Sequence, residues 1–156
     1  MSTPASRLTI TLWLGLAGWI PFWLPVGLAT QAVLSGRSAA AETALFIVYG
    51  AIILGFLGGV RWGHAMARAV PASALTYGLS VLPSLAGLAA VIAYWAGAVL
   101  PGISLVLIGL VLHWRWDRHA TRSGSLPHWY GRLRSLLTLG AALAALGMLG
   151  LYAASV

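Results

Sequence analysis

Arg61, His64 and Arg68 recur at i, i+3 and i+7, a spacing that puts three basic side chains on one face of a helix. They follow directly on an apolar run, so Arg61 falls close enough to hydrocarbon to lie partly inside it. Ionisable groups at that depth are costly, and are usually paired or functional. The alternative is that Arg61 snorkels, with its head at the interface. Asp117, one of two acids in the chain, is the natural partner of Arg61, with Arg115, Arg118 and Arg134 competing for it. The guanidinium fork also suits phosphate. Arg61, Arg68 and Arg134 are therefore candidates to contact an anionic headgroup, with Trp62, Trp129 and Tyr130 packing beside it and Tyr77 closing over the same region.

Gly55, Gly59 and Gly63 recur every fourth residue, with Gly58 beside them. On a helix such a stripe lets another backbone approach closely. A packing groove is the preferred reading, and a flat ligand such as a quinone or acyl chain is the alternative.

Other chemistries find little support. No cysteine is present, which excludes thiolate metal sites and a cysteine nucleophile. His113, Asp117 and His119 lie near one another in sequence but form no recognised zinc pattern, since catalytic zinc takes three protein ligands. Ser123 and Ser125 lie near His119 and His128, yet they flank a glycine in what reads as a turn. Glu42 suits the start of a helix by its charge alone. No catalytic residue, metal or cofactor is assigned.

The elements that must position these side chains follow from composition. Of 156 residues, 60% are hydrophobic and only 7% are charged. A soluble domain carries roughly a quarter charged residues, so most of this surface must face hydrocarbon. The expected fold class is all-α: an integral membrane bundle of about five transmembrane helices in a single domain. The spans read as about 8–33, 43–60, 74–96, 99–114 and 136–154. The first is too long for the apolar core of a signal peptide, and Pro21 and Pro25 within it predict a retained, kinked helix. Pro83 predicts a second kink, with Ser80 or Ser84 placed to resatisfy the freed backbone. The connection at 97–100 predicts a tight hairpin. The polar stretch 115–134 reads as an interfacial loop, in which Ser125-Leu126-Pro127 opens a short helix.

Five crossings would gather Arg7, Arg61, Arg68, Arg115, Arg118, Arg122, Arg132 and Arg134 on one side, leaving only Arg37 on the other. By the positive-inside rule the N-terminus is expected in the cytoplasm and the C-terminus in the periplasm. The same asymmetry accounts for the net charge of +7 without nucleic acid.

Three blocks in order, FLGGVRWG at 56–63, YGLSVLP at 77–83 and LPHWYGRLRSLLT at 126–138, resemble the DUF3429 (transmembrane protein 69-like) family. The resemblance runs from about residue 19 to 149 and implies a small multi-pass protein of bacterial inner membranes and mitochondria. It implies no activity and no catalytic residues.

The preferred functional reading is a non-enzymatic protein of the bacterial inner membrane. It would bind a lipid, a quinone or a partner membrane subunit at a cytoplasmic-side pocket between the second, third and fourth spans. One alternative is a small oligomeric transporter or channel, although no acid or histidine falls clearly at mid-membrane, where coupling sites lie. Another is an enzyme acting on a phospholipid headgroup, with Asp117 or His119 as base.

Overall fold

A chain in hydrocarbon must satisfy its own backbone, and helix is the one isolated element that does so. The computed structural model describes residues 4–67 and 72–155, and side chains for 9–67 and 72–154. Six helices fill these residues: α1 (Pro4–Ala17), α2 (Ile20–Leu34), α3 (Ala40–Met66), α4 (Ala74–Trp95), α5 (Val99–Arg122) and α6 (His128–Ser155). Five stretches are long and apolar enough to cross a membrane: Thr9–Leu34, Ala40–Met66, Ala74–Trp95, Val99–Arg122 and His128–Ala154. The fold is an all-helical, five-span bundle.

The first span is broken rather than kinked. Proline at position i removes a helical N–H and its ring clashes with the carbonyl of i−4. Pro21 therefore stops α1 at Ala17 and serves the first turn of α2. The intervening Trp19 swings across α6, where its Nε1–H donates to the Leu137 carbonyl at 3.1 Å. Its indole lies against Gly140, where any Cβ would collide with the ring. Tyr49 of α3 seals the break by donating to the Gly18 carbonyl at 3.1 Å.

The polar stretch 115–134 is largely helical, which corrects the expected interfacial loop. α5 continues to Arg122 and α6 starts at His128, leaving a turn at 123–127. Arginine is a good helix former, and its long stem keeps the charge in water while the helix goes on. What ends α5 is Gly124, at φ 75°. Its N–H bonds the Thr121 carbonyl at 3.2 Å and the Ser125 N–H bonds that of Ala120 at 2.9 Å, a Schellman closure that turns the chain straight back. Pro127 then opens α6, a full span rather than a short helix, as its carbonyl accepts from the Tyr130 N–H at 3.1 Å.

Inside the bundle, small side chains that allow close helix approach lie among larger ones such as Phe46, Ile47, Leu54 and Ile103. Ala29, Ala32, Ala90, Ala144 and Ala145 are fully buried, while Phe56, Leu85, Leu139 and Leu146 point outward, each more than half exposed. α3 packs on α2, α4 and α5, and α6 closes the bundle against α5, α2 and α1. The α3–α4 contact is the closest: a Cβ at Gly58 would strike the Ser80 carbonyl, and one at Gly87 would come within 2.8 Å of the Ala51 Cα.

The expected glycine stripe divides here. Gly58 meets α4 directly, and Gly55 faces Ser84 at ordinary contact distance. Gly59 and Gly63 have nothing within 4 Å and lie on the open face of the helix. Nor does Ser80 resatisfy the carbonyl that Pro83 frees one turn earlier, on Leu79. Its hydroxyl donates to Tyr77 instead, at 2.7 Å.

Candidate functional site

Three helices, α3, α5 and α6, bring polar residues to one end of the bundle, around a single carboxylate. Asp117 faces inward near the end of α5 and is fully buried. The Gly124 turn sets α5 and α6 antiparallel in a definite register: Gly131 against Thr121, Arg134 against Asp117 and Ser135 against Trp114. Arg134 Nε donates to Asp117 Oδ2 at 2.8 Å. Arg61 arrives from α3, with Nη1 4.0 Å from Oδ1. Asp117 therefore reaches both arginines, and the partner expected first, Arg61, is the more distant. The Tyr130 hydroxyl stands 3.5 Å from Oδ2, at the limit of a hydrogen bond.

His113, one turn deeper on α5, places Nδ1 3.3 Å from Oδ2 but is too poorly aligned to donate well. The Arg61 guanidinium lies 4.2 Å over the Trp116 ring, a cation–π contact of about 1–2 kcal/mol when desolvated. Trp114 is engaged twice over: its Nε1–H donates to Ser135 at 3.0 Å, and Arg118 stacks on its ring at 5.2 Å.

This centre carries more positive than negative charge. The chain holds only two acids, and Glu42 opens α3 nineteen residues before Arg61, roughly 28 Å away along the helix. At the Asp117 end, Arg61 and Arg134 are buried against one carboxylate. Arg115, Arg118, Arg122 and Arg132 add charge around them in the flanking turns. Asp117 Oδ1, Arg134 Nη2, His113 Nε2 and Thr138 Oγ1 are buried without a hydrogen-bond partner among the described residues. Buried polar atoms in such a state cost about 1–3 kcal/mol each.

On the far side of Arg61 lies a cavity of about 130 Å³, lined by His64, Thr76, Leu79, Trp116 and Ser125 among others. Arg61 thus stands between the buried carboxylate and an accessible space.

The remaining sequence candidates fall around this centre or apart from it. His64 lines the cavity. Trp62 and Tyr77 pack edge to face at 5.0 Å across the α3–α4 seam, and Trp62 is 41% exposed. Trp129 stacks edge-on against Tyr130 and is itself 43% exposed. Arg68 lies outside the described residues. His119 and His128 are exposed. The Ser123 and Ser125 hydroxyls bond one another at 3.2 Å, and neither is bonded to a histidine side chain among the described residues.

Sequence reasoning missed Trp116 as the face supporting Arg61, and His113 and Thr138 as core residues of the cluster. One signal was present: His113/Asp117 and Arg134/Thr138 are both i, i+4 pairs, as two facing polar patches on neighbouring helices would be.

A family model described as "Protein of unknown function (DUF3429)" matches residues 8–150. The chain belongs to the DUF3429 family. Transmembrane protein 69 of Xenopus tropicalis is 34% identical over 141 residues, which cover 88% of this chain and 53% of that protein. This DUF3429 chain therefore spans about half the length of the curated relative it matches. No solved structure matches it. The family match runs from the end of α1's first turn nearly to the end of α6, and so takes in every residue of the Asp117 centre.

Proposed function

We propose that this DUF3429 protein is a non-catalytic, multi-pass protein of the bacterial inner membrane that holds an anionic lipid headgroup at its arginine-rich, cytoplasmic end. The observation that carries the reading is the charge balance of the buried centre: two guanidinium groups share one carboxylate, and Arg61 of that set borders an open cavity. A net cation inside a membrane protein is costly, and an anion at the cavity offsets it. Basic pockets between helices at the cytoplasmic face are suited to acidic headgroups.

Size favours a headgroup over a quinone. Pockets that enclose a drug-sized molecule run to roughly 300–1,000 Å³. A space of about 130 Å³ fits a phosphate and its ester oxygens, with the acyl chains outside along the helices. Asp117 is engaged by Arg134 at 2.8 Å, which makes it a structural anion rather than a free base and supports a binding role over a catalytic one.

The test is native mass spectrometry of mildly solubilised protein. Wild type is expected to retain one phosphatidylglycerol or cardiolipin in preference to phosphatidylethanolamine, and a folded Arg61→Gln variant to lose that preference. Equal retention of zwitterionic lipid by wild type would refute the reading.

Orientation is separately measurable because the chain has no cysteine of its own. Ser38 and Ser123 are exposed in turns at opposite ends of the bundle. Ser38→Cys should react with a membrane-impermeant maleimide on whole cells, and Ser123→Cys only after permeabilisation. The reverse pattern would place the arginines outside.

A further inference from the structure

At the opposite end of the bundle, the turn after α2, the α4–α5 turn and the last turns of α6 border a half-open cleft of about 800 Å³. Its walls divide by chemistry. Met148 and Leu151 of α6 supply apolar lining, and Tyr94 and Tyr152 stand among the lining residues with Thr43 and Arg37. The Tyr94 hydroxyl is committed to the Ala40 carbonyl at 2.7 Å, which holds α4 to the start of α3 and props that wall. None of the described lining residues is acidic.

Arg37 is the unusual member. Arg61, Arg115, Arg118, Arg122, Arg132 and Arg134 all lie at the other end, and the charge bias that orients membrane proteins disfavours arginine here. Arg37 nonetheless stands at the mouth of the cavity, exposed and in no ion pair among the described residues. Glu42, the nearest acid in sequence, does not pair with it.

We infer that this cavity binds a single-chain amphiphile whose anionic head, a carboxylate or phosphate, meets Arg37 while its acyl chain lies against Met148 and Leu151. The volume falls within the range of pockets that enclose a whole small molecule, and the cation sits at the mouth, where a head would remain hydrated. This site is independent of the headgroup site at Asp117 and shares no residue with it.

The experiment uses the full chain in phosphatidylcholine nanodiscs, titrated calorimetrically with oleate, oleyl alcohol and oleoyl lysophosphatidate. Oleate is expected to saturate at one per chain. Oleyl alcohol, with the same chain and no charge, should bind about tenfold more weakly, as loss of a charge-assisted hydrogen bond implies. Arg37→Gln changes an exposed residue, so the fold is retained; it should weaken oleate about tenfold and leave the alcohol unchanged. Leu151→Trp, at a half-buried lining position, narrows the cleft and should weaken both. Tighter binding of lysophosphatidate would assign the head as phosphate, and tighter oleate as carboxylate. Equal affinity for oleate and the alcohol, unchanged oleate binding by Arg37→Gln, or uptake that never saturates would overturn the inference.

Discussion

Replacing Asp117 with alanine should cost about 3–5 kcal/mol, enough to remove most folded protein from the membrane fraction. The reason is what stays behind. Arg134 and Arg61 are buried, Asp117 Oδ2 is the acceptor for Arg134 Nε, and the only other acid is at the far end of α3. Removing the carboxylate leaves two cations in an apolar setting with no counter-charge. Asp117→Asn keeps the shape and fails for the same reason. A buried ionic set replaced as a whole behaves differently, since well-packed apolar substitutes of similar volume are often neutral or stabilising. The combined Arg61→Met, Asp117→Leu, Arg134→Met variant should therefore recover a monodisperse, folded protein. Thermal unfolding in mild detergent separates the cases: the single variant collapses and the triple approaches wild type. A stable Asp117→Ala would show that the carboxylate does not hold the centre together.

The second large effect is expected at Gly58. Valine there would drive its Cβ into the Ser80 carbonyl, which is backbone and cannot rotate aside. α4 has little freedom to retreat, because Gly87 already touches Ala51 two turns further along the same seam. Overpacking of this kind costs about 1–3 kcal/mol or more. Gly59→Val, one residue away, meets nothing within 4 Å and should stay within about 0.5 kcal/mol of wild type. The contrast is read as a difference in unfolding midpoint between two neighbouring substitutions. Equal effects would mean that the two helices do not meet at Gly58.

Why those glycines differ could not be read from their spacing. A four-residue repeat defines a stripe on α3, but which side of the stripe faces a neighbour depends on how α4 crosses it. The number of spans was legible, since apolar runs of about twenty residues have one stable conformation in lipid. Their ends were less so. Residues 115–122 look like loop by polarity, yet the arginine stems let α5 continue, and only Gly124 supplies a backbone conformation that ends it. Pro21 and Pro25 both signalled a bend in the first span. Pro21 decides the place, because its carbonyl clash falls on Ala17 whereas Pro25 is accommodated inside α2.

The site was partly legible for a similar reason. With only two acids in the chain, Asp117 had to be the focus of the basic residues around it. Choosing among Arg61, Arg115, Arg118 and Arg134 required the register between α5 and α6, which a turn of a few residues sets and composition does not encode. The support of Arg61 by Trp116 lies between two helices that are not adjacent in sequence, so no local pattern announces it.

The most direct test of the headgroup reading is phosphatidylglycerol binding in phosphatidylcholine nanodiscs at low and high salt. Exposed arginines such as Arg115, Arg122 and Arg132 also attract acidic lipid, but through water. Raising the salt from about 0.1 M to about 1 M shortens the screening length from about 10 Å to about 3 Å and removes that contribution. A site built on the buried Arg61–Asp117–Arg134 set should keep one phosphatidylglycerol per chain at both salt concentrations, and the folded triple variant should keep none. If the bound lipid falls away with salt in wild type, or persists in the triple variant, the basic surface is responsible and the buried centre is not a headgroup site.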